Sequence, residues 1–150
     1  MRAGELCIRV VATAERDESV VAAARRMAEL RVGDLIVVTN GYDGPPRPIG
    51  IITDRDLVVQ VLARPERNAA TTTIGQVMRG GLVTALEEDD VERVVGRMRE
   101  HGIRRIPIVD SAGGLQGVLA LDDVVGWMRD QLDAASDVLE RQDGGPPVTH

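Results

Sequence analysis

Apolar residues return along this chain with two spacings. Val20, Ala23, Ala24, Met27 and Leu30 recur every three or four positions, and Val91, Val94, Val95 and Met98 do the same. Each set predicts an amphipathic helix. The acidic runs just before them, Asp17-Glu18 and residues 87–90, suit the positive end of a helix dipole. Gly33 and Gly102 fall where those helices should stop. Short apolar runs surround the helices: 9–13, 35–38 and 49–53 in the first half, 82–85, 106–109 and 115–120 in the second. They predict strands, joined by turns at 40–48 and 110–114. A further helix closes each half, giving the order β-α-β-β-α twice.

The two halves are one pattern repeated. A shift of 71 lays Gly4-Glu5-Leu6-Cys7 on Gly75-Gln76-Val77-Met78, Thr13-Ala14 on Thr84-Ala85, Met27 on Met98, and Val37-Val38 on Ile108-Val109. Beyond the turn the shift is 67, so Gly50-Ile51-Ile52 meets Gly117-Val118-Leu119 and Asp56 meets Asp123. The difference of four residues sits in the Gly- and Pro-rich loop at 39–48, where insertions are tolerated. The expected class is α/β (α+β): repeats at 1–70 and 71–130, a helical extension at 131–141 and a loose tail at 142–150. Neither half can cover so small a sheet alone, so the two should pack together.

Composition narrows the function. The 150 residues carry 18 basic side chains, all arginine, against 24 acidic ones, for a net charge of −6. Phe is absent, and Trp127 and Tyr42 are the two aromatics. That argues against base stacking on aromatic platforms and against a phosphate-backbone binder. Cys7 stands alone, which excludes an internal disulfide and paired-cysteine metal sites. It aligns with Met78 and is read as a packing residue. His101 and His150 lie far apart. Ser19 and Ser111 belong to no nucleophile motif, and no Walker or dinucleotide glycine loop occurs. No apolar run is long enough for a membrane span. A cytoplasmic protein with no catalytic set, and no required cofactor or metal, is expected.

The motif with chemistry is Thr53-Asp54-Arg55-Asp56 at the mouth of a predicted helix. It fits a helix-capping box that needs no ligand. The residues alone favour that cap, but the same geometry can serve a nucleotide site, with a hydroxyl for phosphate and a carboxylate for a ribose diol. In the second half Ala120 replaces Thr53 and Asp122 replaces Arg55, while Asp123 keeps the acid. One competent site and a second weak or closed one are expected. Phosphate in so acidic a chain needs placed cations, and Arg104 and Arg105 precede a buried strand. Arg25, Arg26, Arg97 and Arg99 are read as solvated helix-face residues. Without aromatics, a purine would lie between aliphatic side chains, with Val11, Thr13, Ile36 and Val37 as candidates. For each, ordinary core packing is the competing role.

The doubled order, with Gly50-Ile51-Ile52-Thr53-Asp54-Arg55-Asp56-Leu57 ending one half and Gly102-Ile103-Arg104-Arg105-Ile106-Pro107-Ile108-Val109-Asp110 in the other, resembles a tandem pair of cystathionine-β-synthase-type (CBS) domains. The resemblance covers about residues 4–130. It implies a pseudo-two-fold pair, a regulatory sensor holding an adenosine-containing ligand between its halves, with Thr53 and Asp56 on phosphate and ribose. AMP is the first candidate, with ADP, ATP or S-adenosylmethionine behind it. A basic residue near Arg104 or Arg105 would meet the phosphate from the opposite half. The last helix keeps its apolar spacing through Leu132 and Leu139, past the length of its counterpart. A second copy, in a homodimer, is the simplest cover. Two rivals remain: an oligomerisation platform in which Thr53 only caps, and a metal-dependent enzyme using Asp54, Asp56 or Asp123. A downstream protein partner is implied, and no residue names it.

Overall fold

Two three-stranded sheets, one from each half, carry the predicted strands. A computed structural model of the chain describes residues 1–40 and 43–143, the side chain of Asp143 excepted. In the first half β1 (Thr13–Glu15) pairs in parallel with β2 (Asp34–Thr39), which pairs antiparallel with β3 (Arg47–Thr53). In the second half β4 (Ala85–Leu86), β5 (Arg105–Val109) and β6 (Leu115–Ala120) repeat that order. The ladder irregularity between Val37 and Val38 recurs between Ile108 and Val109, the repeat-equivalent pair. The first strand of each half lies later than the apolar pattern placed it, at 13–15 and 85–86. The runs at 9–12 and 82–84 are the approach to the strand. β4 is shorter than β1 for a covalent reason. Ile36 donates its N–H to the carbonyl of Ala12 at 3.0 Å, and its counterpart Pro107 has no N–H to give.

Helices α2 (Val20–Leu30) and α5 (Val91–His101) cover the sheets through Val20, Ala23 and Met27 and through Val91, Val94 and Met98. Ala24 and Leu30, expected on the same face of α2, are exposed because they lie off the side that meets the sheet. Ser19 caps α2, accepting the Ala22 N–H at 3.1 Å. The expected stop at Gly102 holds, with φ 62°. The expected stop at Gly33 does not: α2 ends two residues earlier, where Arg31 takes the left-handed conformation at φ 54°. Arg26 and Arg97, expected to be solvated, are tied down instead. Their Nη1 atoms donate to the carbonyls of Thr13 and Thr84 at 2.8 and 3.0 Å, and they pair with Glu18 and Asp89 at 2.6 and 3.0 Å. Arg26 clamps α2 to the first residue of β1, and Arg97 clamps α5 to the residue just before β4.

Each half also opens with a short helix that the apolar pattern did not reveal, α1 (Ala3–Leu6) and α4 (Ile74–Val77). Neither packs on its own repeat. Ala3 and Cys7 sit in the core of the second half with Val94, Met98, Ile106 and Leu119. Ile74 and Val77 sit in the core of the first with Ala23, Met27, Leu35 and Ile52. Backbone bonds seal the exchange: Ala3 N–H to Asp89 and Gly4 N–H to Glu87 on one side, Ile74 N–H to Glu18 and Gly75 N–H to Arg16 on the other. Gly117 makes room for this, since a Cβ there would lie 2.6 Å from the Cys7 Sγ. Cys7 is therefore a buried packing residue, and burial raises its thiol pKa. A third apolar cluster, Ile36, Val38 and Val118 with Val11, Ile51 and Leu115, joins the two sheets.

Helix α3 (Asp54–Leu57) runs into a π-helical turn, Val58–Leu62, and its counterpart α6 (Leu121–Asp143) is a single helix of 23 residues. Gln142 and Asp143, expected in a tail, belong to α6. Residues 144–150, and Tyr42, lie outside the described residues. Among the described residues, no helix is long and apolar enough to cross a membrane.

Candidate functional site

The chain leaves the sheet between β3 and α3 at Thr53. The Asp56 N–H donates to Thr53 Oγ1 at 3.1 Å, and the Thr53 N–H donates to Asp56 Oδ2 at 3.0 Å. This closes the capping box that the motif predicted. Asp56 is 3 % exposed, an unusual place for a carboxylate without a cation. The cation is Arg79, whose Nε donates to Asp56 Oδ1 at 3.0 Å. Sequence reasoning missed Arg79. It follows α4, and because that segment docks on the first half, a residue of the second repeat meets the acid of the first. The isolated bridge between Ile51 and Arg79 holds it there.

Arg105 also crosses between halves. Its Nη1 lies 3.1 Å from Asp34 Oδ1, and Asp34 stands opposite Thr53 in the β2–β3 ladder. Asp34 and Arg105 are repeat-equivalent, so the pair straddles the pseudo-two-fold relation of the halves with opposite charges. Burial raises the Asp34 pKa most, the Arg105 guanidinium opposes that, and the nearby Asp54 carboxylate adds to it. Arg104 stays on its own half, in an exposed ion pair with Asp122 at 2.8 Å. Such a surface pair contributes little. Arg55 is exposed beside Thr53.

The aliphatic candidates divide by strand alternation. Ile36 faces the cluster between the sheets, with Val11 packed against it. Val37 points the other way, fully buried among the helix-side residues of the first half. Thr13, half-buried, pairs with Ile36 in the β1–β2 ladder. The structure thus brings Thr53, Asp56, Arg79, Asp34 and Arg105 to one end of the first sheet, with Ile36 and Val11 in the adjoining apolar layer. It leaves Val37 and Arg104 apart. The open depression bordered by Glu15, Arg16, Asn40 and Gln76, about 620 Å³, lies elsewhere and includes none of the predicted residues.

The second half repeats the frame without a counterpart of Arg79. Ala120 ends β6 opposite Arg105, and Ile8 bridges Val118 as Arg79 bridges Ile51. Asp123 Oδ2 is buried without a hydrogen-bond partner among the described residues. No group of three or more His, Cys, Asp or Glu side chains that could hold a metal ion occurs among the described residues.

A family model described as "CBS domain" matches residues 3–63 and 74–130. An uncharacterised protein of Methanopyrus kandleri, MK0525, is 34 % identical over 81 % of this chain, which spans 60 % of that protein's length. The crystal structure of Hypoxic Response Protein I with two coordinated zinc ions superposes with a TM-score of 0.71 at 26 % identity, over 83 % of this chain and 97 % of that one. The CBS domain pair of protein MJ0100, in complex with 5′-methylthioadenosine and S-adenosyl-L-methionine, superposes with a TM-score of 0.72 at 22 % identity, over 87 % of this chain and 98 % of the other.

Proposed function

Since the chain belongs to the CBS domain family, whose paired members are regulatory modules, we propose that it senses an adenosine-containing nucleotide, AMP first, bound beside Thr53 and Asp56. The observation that carries this reading is the asymmetry of the repeats at that point. The first half holds a hydroxyl and a buried carboxylate on one turn of chain, with a guanidinium delivered to them from the second repeat. The second half has Ala120, Ile8 and an Asp123 whose Oδ2 has no hydrogen-bond partner among the described residues. A capping box alone would require neither the burial of Asp56 nor Arg79.

In this reading Asp56 accepts the ribose diol and Thr53 with Arg105 faces the phosphate. Val11 and Ile36 offer the purine aliphatic surface in place of an aromatic platform. Binding there would bear on the apolar layer between the sheets and on the Asp34–Arg105 pair, which is how occupancy reaches the rest of the molecule. No reaction is proposed. The ligands of the MJ0100 pair are a precedent on the same fold for adenosine-containing molecules. The exposed stripe of α6 favours a second component, a homodimer, which is compatible with sensing.

A thermal-shift panel of AMP, ADP, ATP, S-adenosylmethionine and NADH tests the reading. At 100 times its dissociation constant a ligand adds roughly 2.7 kcal/mol to stability. AMP is expected to raise the melting temperature of the wild type and to do nothing for Asp56→Ala. Thr53→Ala should weaken binding and also lose about 1 kcal/mol of cap stability. A panel that leaves the melting curve unmoved assigns the pair to an oligomerisation platform. Binding that survives both substitutions moves the site elsewhere. Metal-dependent turnover lost in Asp56→Asn replaces the sensor with an enzyme.

A further inference from the structure

Resting on that binding reading, we propose that Arg79 sets the charge of the ligand: it neutralises Asp56 in the free protein and passes to the ligand's phosphate when the ribose takes its place. Both oxygens of Asp56 are occupied in the free chain, Oδ2 by the Thr53 N–H and Oδ1 by Arg79 Nε. Each oxygen keeps a second lone pair, but Asp56 is 3 % exposed, so a ribose diol reaches this carboxylate by displacing a group that covers it. The Thr53 N–H is fixed in the backbone at the end of β3. Arg79 is the partner that can leave.

Its geometry suits the exchange. The Arg79 side chain is 70 % exposed although its acceptor is buried. It holds Asp56 through Nε, and among the described residues its two Nη groups have no hydrogen-bond partner. These form the forked end of a guanidinium, the part that matches a phosphate in a bidentate contact. Gly80 and Gly81 follow directly, and a Cβ on either would meet no atom within 4 Å. With most of its side chain in solvent, a displaced Arg79 need not leave the site to find a new anion.

The second repeat shows that the fold does not require arginine here. Ile8 makes the same kind of backbone bridge to Val118 that Arg79 makes to Ile51, so the docking of the segment is indifferent to the side chain. Where the arginine is missing, the hydroxyl of Thr53 is missing too, as Ala120, and Asp122 adds an acid. The cation and the hydroxyl occur together in one half and are absent together from the other. That pairing is what an anionic ligand needs and what mere neutralisation of a carboxylate would not need, since Asp123 goes without.

Titration calorimetry of the full chain with AMP and with adenosine tests the proposal. Wild type is expected to prefer AMP by about 10- to 100-fold, the worth of one charge-assisted contact. Arg79→Ala should narrow the gap between the two affinities, because AMP loses its contact to Arg79 while both ligands are freed from competition with a guanidinium for Asp56. Arg79→Lys, which keeps the charge and loses the fork, should restore part of the preference. A preference for AMP undiminished in Arg79→Ala, in a variant that melts as a folded protein, overturns the role of Arg79 and leaves the site standing. Equal affinities in the wild type do the same. Binding of neither ligand to the wild type overturns the site itself, and the role of Arg79 with it.

Discussion

Asp110 and Asp34 are both carboxylates at strand ends, and their surroundings push them in opposite directions. Asp110 folds the β5–β6 turn around itself, accepting from the Ala112 and Gly114 N–H groups and from the Gln116 amide, each at 2.9 Å. These bonds, that of Gly114 foremost, hold its pKa below the ordinary 3.8. A depressed carboxylate adds stability that is fully present above the unfolded value and fades as pH falls through the folded one. Asp110→Asn is therefore expected to melt below the wild type at neutral pH. The gap should close as pH is lowered through and below the carboxylate range, which melts taken from about pH 7 down to about pH 2.5 will show. Asp34 carries the opposite sign. Its raised pKa means that its contribution to stability declines as pH climbs from 3.8 through the folded value. Within one chain, then, acid weakens the turn and relieves the seam between the halves.

At the scale of elements the repeat can be checked against itself. Helices α2 and α5 end at equivalent positions, yet one end is Gly102 and the other Arg31, both left-handed. That conformation disfavours a residue with a Cβ by roughly 1–2 kcal/mol, offset in part by the extra freedom glycine brings to the unfolded chain. Arg31→Gly should raise stability by about 0.5–1 kcal/mol, read as a higher midpoint in urea with an unchanged slope. The helices, the strands of each half and the capping motif were legible because each shows in local spacing or in the 71- and 67-residue offsets. The stop at Arg31 was not, since the helix ends where its backbone bonds run out and Gly33 lay two residues on as a decoy. Arg26 and Arg97 looked solvated because a helical wheel cannot show the carbonyls of Thr13 and Thr84 that bind them. Arg79 could not be found at all. Its role depends on which half α4 docks against, and nothing in the apolar spacing of 74–83 carries that information.

The whole molecule keeps its charge of −6 and still assembles cations at one place, because the fold carries Arg79 and Arg105 across to the first half. It also leaves an apolar stripe along α6 uncovered: Val125, Met128, Leu132 and Leu139 are exposed, Leu132 at 70 %. If a second copy covers the stripe, the wild type should sediment at twice the chain mass and Leu132→Glu with Leu139→Glu at the chain mass, with ligand affinity little changed. A wild type that sediments as a monomer would show that the stripe serves another partner or none. The exchanged segments have a further consequence, in time and not in space. The carbonyls of Glu87 and Asp89 and the bridging strand at Val118 emerge more than 75 residues after residues 3–8. Closing so long a loop is slow compared with forming a helix or a hairpin. Until it closes, the core of the second half lacks Ala3 and Cys7, and Gly117 lacks the side chain that packs on it. Residues 3–8 are made well before the partners they are seated against.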